Sequence, residues 1–176
     1  MPKVYTGDLT KMFDISGKKA MIFGGAGGFG EAIAAGYAAN GCSVCISSRS
    51  EEKLQAAKAK IEAAAAPGVK VMYIAGDAGD EEFVKKAVEV VTGPEGLGGC
   101  DILVNAQGIN KKMWSWEIDT DFFEKMLHTN ITSLMLTCKH FGNWMKSNNV
   151  EGAEKVPADK FEAGKCNPNQ GYGKII

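Results

Sequence analysis

The densest chemical signal in the chain is Gly24-Gly25-Ala26-Gly27-Gly28-Phe29-Gly30. It lies between a short apolar run, Lys18 to Phe23, and an amphipathic run that starts at Gly28. A diphosphate must approach the backbone closely, so a turn that binds one has to be stripped of side chains. The start of a helix adds free N–H groups and the positive end of the backbone dipole. A glycine-rich turn alone is a weak signal, but between a strand and a helix at the head of a βαβ unit it has the context such a site requires. Gly24, Ala26, Gly27, Gly28, Phe29 and Gly30 are therefore the first candidate ligand contacts.

The second candidate group is Ser47-Ser48-Arg49-Ser50, at the end of the next apolar run. In a dinucleotide site this strand end reads the adenosine ribose. A carboxylate there accepts hydrogen bonds from the 2′-hydroxyl and repels a 2′-phosphate, and an arginine does the reverse through a charge-assisted contact. No acid stands at this strand end. Ser48 and Arg49 thus predict NADP(H) as the cofactor, with NAD(H) as the alternative.

A regular alternation of elements positions these groups. Lys18 to Phe23, Ser43 to Ser47, Val69 to Ala75 and Asp101 to Asn105 read as strands. Gly28 to Asn40 reads as a helix closed by Asn40-Gly41. Ser50 caps a second helix, opened by Glu51 and Glu52, that runs through an alanine-rich tract to Pro67-Gly68. Asp80 caps a third, through about Val91. A long helix is expected from about Thr120 to Lys146, where Phe123, Met126, Leu127, Ile131, Leu134, Met135 and Cys138 repeat at helical spacing. Short apolar strands alternating with helices predict a Rossmann-like α/β fold, a doubly wound parallel sheet in three layers, αβα. Ser147 to Gly173 is polar, with Pro157, Pro168 and several asparagines, and reads as a long loop. Lys174-Ile175-Ile176 reads as the beginning of a fifth strand. On this reading residues 1–176 form one nucleotide-binding domain, truncated at the start of that strand.

Taken in order, these motifs resemble the short-chain dehydrogenase/reductase family. Gly24, Gly28 and Gly30 match its G-x-x-x-G-x-G spacing, with Phe23 where the family usually has threonine. Asp77-Ala78, after the third strand, resembles the Asp-Val pair that contacts adenine. Asn105-Ala106-Gln107-Gly108 resembles the Asn-Asn-Ala-Gly motif, keeping the outer two residues and departing in the middle two. Asn130 falls where the family keeps a helix asparagine of its catalytic tetrad. The lead-in, residues 11–18, resembles that of sugar- and polyol-type members. Read singly, Asp77 also suits a turn cap, Asn105 a strand-end turn and Asn130 a locally bonded helix residue. The ordered set carries the signal.

The resemblance implies an oxidoreductase that transfers hydride between NADP(H) and an alcohol or carbonyl carbon of a small molecule. It implies cofactor contacts from Asp77, Ala78, Asn105, Ala106 and Gly108, and a catalytic role for Asn130. It also implies a homo-oligomer, dimer or tetramer, because the long helix helps pair subunits in complete relatives. Further, it implies a serine and a Tyr-x-x-x-Lys pair, in which the lysine lowers the tyrosine pKa so that the phenol acts as a base. Tyr5, Tyr37, Tyr73 and Tyr172 all lack a lysine four residues later. The chain alone is therefore expected to be inactive and to carry the cofactor-binding half only. The alternative is a non-catalytic nucleotide-binding fragment or remnant.

Composition narrows the remaining classes. The chain has 176 residues, 45% of them hydrophobic, and a net charge of -1. That is length and apolar content for one core. There is no basic excess to draw nucleic acid or an anionic membrane. No apolar run approaches the roughly 20 residues of a membrane span. The N-terminus has no apolar secretory segment, so the expected location is the cytoplasm. Five cysteines fit free thiols better than a disulfide framework. Cys42-Ser43-Val44-Cys45 is formally C-x-x-C, but residues three apart on a strand face opposite ways, and two such sulfurs cannot share a metal. No metal site is expected.

Overall fold

Each apolar run alternates its side chains between two faces, and helices must cover both. The computed structural model describes residues 13–148 and 174–176. Strand β1 (Lys19–Phe23) leads to helix α1 (Gly28–Ala39), then β2 (Ser43–Ser48), α2 (Glu51–Ala64), β3 (Val71–Ala75), α3 (Glu81–Thr92) and β4 (Ile102–Asn105). A 3-10 turn (Ser115–Glu117) precedes α4 (Thr120–Leu127), a π-helical turn (His128–Thr132), α5 (Ser133–Asn148) and β5 (Lys174–Ile175). The sheet is parallel, in the order β3-β2-β1-β4-β5. This is the expected doubly wound layout in three layers.

The two faces of β1 show how the sequence builds it. Ala20 and Ile22 point into one core with Val44, Ile46 and Val104, under Ala34 and Ala38 of α1 and Leu54, Ala57 and Ile61 of α2. Met21 and Phe23 point into the other with Cys45 and Leu103, under Val84, Ala87 and Val91 of α3 and Leu136, Phe141 and Met145 of α5. Phe23 and Phe141 meet edge to face, with ring centroids 5.7 Å apart. Cys42 and Cys45 fall in opposite cores. Burial pushes the Cys42 and Cys100 thiols up to about 12, and raises that of Cys45 as well.

The expected caps are present. The Ser50 hydroxyl accepts from the Lys53 N–H at 3.4 Å, and the Asp80 carboxylate accepts from the Glu82 N–H at 3.0 Å. Gly41, at φ +81°, turns the chain out of α1. Beyond one-residue shifts at strand and helix ends, the structure differs from the sequence reading in the start of β3 and in the long helix. Strand β3 starts at Val71 rather than Val69, because the Val69 N–H closes the Pro67-Gly68 turn on Ala66 O and is lost to the ladder. The long helix is not uniform, since the Ser133 N–H reaches back five residues to His128 O and makes the π turn. It also runs on to Asn148, whose amide bonds Trp144 O, so the loop expected from Ser147 does not begin there. Residues 149–173 and the first part of the 11–18 lead-in lie outside the described residues.

The apolar stripe read from the sequence lies open on both sides of the π turn. Helix α4 buries no residue, and Phe123, Leu127, Ile131, Leu134 and Met135 are exposed. The end of the chain ladders onto β4: Ile176 N–H donates to Leu103 O, and Asn105 N–H to Ile176 O, both at 2.8 Å. Among the described residues no helix is long and apolar enough to cross a membrane.

Candidate functional site

The carboxyl ends of β1 to β4 open into one cleft of about 360 Å³. Crevices at this place, where the strand order reverses between β1 and β4, are the usual ligand sites of open α/β sheets. Gly24, Ala26 and Gly27 form one wall, Ser48 and Arg49 the next, Asp77 and Ala78 the third, and Ala106 and Gly108 the fourth. The structure thus gathers nine residues proposed from sequence, spread over more than eighty positions, around one space.

The glycines of the turn do different things. Gly24 has φ +75°, and a Cβ there would stand 2.5 Å from the Ala106 carbonyl carbon. Gly30 also touches protein rather than the cleft, for a Cβ on it would run into the Gly24 carbonyl. These two let β1, α1 and the loop after β4 close on one another. Gly28 is the reverse case, with nothing within 4 Å of its absent Cβ. Gly27 caps α1 with no side chain, so the N–H groups of the first turn, from Gly28 to Gly30, stay without intrahelical partners. The Phe29 side chain points to solvent. Gly28, Phe29 and Gly30 do not line the cleft themselves. The helix start meets the cleft at its N-cap, Gly27.

Asn105 and Asn130 also stand off the cleft and hold its wall. Asn105 Oδ1 accepts from Thr137 Oγ1 at 2.7 Å, tying the end of β4 to α5. Asn130, in the π turn, grips the loop after β4 with both ends of its amide. Its Oδ1 accepts from the Ile109 N–H at 2.8 Å, and its Nδ2 donates to Ile109 O at 3.0 Å. Asp77 keeps its turn-capping role while lining the cleft, accepting from the Gly79 N–H at 2.8 Å.

Several lining residues were not singled out from sequence. Gln107 donates to Ser133 Oγ at 3.1 Å and to Asn105 Oδ1 at 3.3 Å, joining the loop after β4 to α5. Only the tertiary fold brings Gln107, Thr129 and Ser133 together, so no local pattern announces them. Lys53 stands in the first turn of α2, three residues after its cap Ser50. Two buried polar atoms of lining residues, Ser47 Oγ and Gln107 Oε1, have no hydrogen-bond partner among the described residues. A cleft with open glycine backbone at Gly24 and Gly27, the start of a helix beside it and orphaned polar atoms fits a polar ligand that carries phosphate.

Comparison with known proteins bears on the family and the fold. The model of the short chain dehydrogenase family matches residues 18–153. The glucose 1-dehydrogenase of Gluconobacter oxydans is 31% identical over 137 residues, covering 78% of this chain and 50% of that protein. The L-rhamnose 1-dehydrogenase (NADP(+)) of Thermoplasma acidophilum is 32% identical over 145 residues, covering 80% and 54%. The crystal structure of an NAD+-bound xylitol dehydrogenase superposes with a TM-score of 0.71 at 25% identity, covering 77% of this chain and 50% of that one. The chain spans about half the length of the curated relatives it matches.

Proposed function

The chain belongs to the short-chain dehydrogenase family, and from that premise we propose that it holds NADP(H) in the cleft as the cofactor-binding half of an oxidoreductase. The reaction class is hydride transfer to or from the carbinol or carbonyl carbon of a small molecule, with sugars and polyols favoured by the names of the relatives. One observation carries the cofactor choice. At the end of β2 no acid lines the cleft, and Arg49 lines it without a side-chain partner among the described residues. The NADP(+) in the name of the rhamnose relative supports this reading, while the xylitol enzyme was solved with NAD+.

Bound there, the nicotinamide would supply or accept the hydride. The chain's own part is to hold and orient. The first turn of α1 receives the diphosphate, Ser48 and Arg49 take the adenosine ribose and its phosphate, and Asp77 and Ala78 flank the adenine. Ala106 and Gly108 back the other end of the cleft. Asn130 serves as a positioning residue, fixing the Ile109 backbone beside Gly108. The exposed residues Phe123, Leu127, Ile131, Leu134 and Met135 support pairing of subunits along α4 and α5 in a homo-oligomer. The free thiols of Cys42, Cys45, Cys100 and Cys138 accord with a cytoplasmic location.

The test is titration of the chain and of Arg49→Ala with both cofactors. Loss of the guanidinium should weaken NADP(H) by roughly 1.5–3 kcal/mol more than NAD(H), the range for a hydrogen bond to a charged group. Equal losses for the two would overturn the assignment.

A further inference from the structure

Helix α2 brings a second cation to the cleft. Arg49 precedes its N-cap, Ser50, and Lys53 follows three residues after that cap. Both line the same cleft, as do Ser48 and Ser50. Neither side chain has an ion-pair or hydrogen-bond partner among the described residues. Six other lysines are engaged: Lys58, Lys60, Lys85 and Lys139 meet carboxylates, and Lys19 and Lys70 donate to backbone carbonyls; what sets Lys53 apart from the remaining lysines is that it lines the cleft. The acids nearest Lys53 do not line the cleft, and Glu51 is held on another side by the Tyr73 hydroxyl at 3.1 Å. The one carboxylate that does line it, Asp77, is tied to the Gly79 N–H.

Charge then decides what this corner takes. A neutral ribose hydroxyl needs no cation. A phosphate monoester carries about -1.5 to -2 at neutral pH, more than one guanidinium balances. Two cations lining one cleft balance it, with the serine hydroxyls beside them as further donors. We propose that Lys53 is a second specificity-determining residue, which closes with Arg49 on the phosphate monoester of the adenosine ribose. This rests on the NADP(H) reading above. The guanidinium supplies the forked, directional contact and the ammonium a point charge on a flexible stem.

The experiment titrates the full chain with adenosine 2′,5′-bisphosphate and with adenosine 5′-monophosphate, which differ only in the 2′-phosphate. The native chain should prefer the bisphosphate. Lys53→Met should cut that preference about tenfold, the lower end for a charge-assisted contact, and leave monophosphate affinity unchanged. Lys53→Arg should restore it. Raising the ionic strength should erode the preference of the native chain more than that of Lys53→Met, because exposed charges are screened. Lys53 is exposed and its capping contact is through the backbone, so the variant is expected to fold, and a melt checks this. If folded Lys53→Met keeps the native preference, Lys53 has no part in the site while the Arg49 reading stands. If the native chain shows no preference for the bisphosphate, both readings fall.

Discussion

Asn130 offers the sharpest test of how this site is held. Its amide makes two hydrogen bonds to one residue, at 2.8 Å and 3.0 Å, and the pairing fixes its orientation, since only the carbonyl can face the Ile109 N–H. Asn130→Leu would remove both while keeping the volume. Each bond contributes roughly 0.5–1.5 kcal/mol net, and an orphaned buried partner costs more than that. Ile109 is half-buried, so water recovers part of the loss. The expected destabilisation is about 2 kcal/mol, or about 4–8 °C in melting temperature for a domain of this size. Asn130→Asp is the finer probe. It keeps the acceptor for the Ile109 N–H but sets a carboxylate oxygen against the Ile109 carbonyl. It should be at least as destabilising at neutral pH, and its deficit against the native chain should narrow below about pH 4, where an ordinary aspartate protonates.

The assays are urea and thermal unfolding of the three chains, with amide exchange read at Ile109. Exchange there should accelerate in both variants, and nucleotide affinity should fall with it, because Gly108 and Ile109 line the cleft. Native-like melts together with unchanged exchange at Ile109 would refute the reasoning and leave Asn130 as an ordinary polar helix residue.

Phe141, fully buried and set edge to face on Phe23, is the main aromatic link between α5 and the sheet. Phe141→Ala should cost about 3–5 kcal/mol in urea unfolding; a loss below about 1 kcal/mol would mean that α5 is not docked as described. Glu81 receives hydrogen bonds from Lys139 Nζ at 2.7 Å and His140 Nε2 at 2.8 Å, and these hold its carboxyl well below the usual range, at about 2. A depressed pKa gives stability that is present above the unfolded value of 4.5 and is lost as pH falls toward 2. The stability gap between the native chain and Glu81→Gln should therefore hold from neutral pH to about 4.5 and shrink below it. A gap that ignores pH would contradict this. The 176-residue chain should show no turnover with NADP(H) across alcohols and ketones, because it contains no Tyr-x-x-x-Lys to take the proton. Turnover above the enzyme-free control would sink that expectation.

What was legible in the sequence was what neighbouring residues decide. The caps at Ser50 and Asp80, the turn at Asn40-Gly41 and the two-faced strands follow from local chemistry, and the structure has them. The glycine turn was legible as a motif but not in its division of labour. Gly24 and Gly30 are required by the protein's own close approaches, and only the three-dimensional distances separate them from Gly28, whose absent Cβ would meet nothing. Val69 stands in the apolar run that reads as the third strand, yet its N–H closes the preceding turn. Gln107, Thr129 and Ser133 reach the cleft through contacts more than twenty residues apart, which no window along the chain can see.

The π turn interrupts the long helix without breaking its exposed apolar stripe. Apolar residues recur at helical spacing on both sides of it, from Phe123 to Leu127 and from Leu134 to Cys138. The reach of the Ser133 N–H to His128 O adds one residue to a turn, and one residue is about 100° of helical phase. Downstream of it, Leu136, Phe141 and Met145 face the sheet, while upstream nothing in α4 is buried. Within the turn, the same shift lets Asn130 grip Ile109 and sets Thr129 and Ser133 at the cleft. A regular helix has one phase along its length and cannot set α4 outward, α5 on the core and Asn130 on the loop at once. The irregularity in the helix is thus the feature that joins the core to the cleft, in keeping with the concentration of π turns at functional sites.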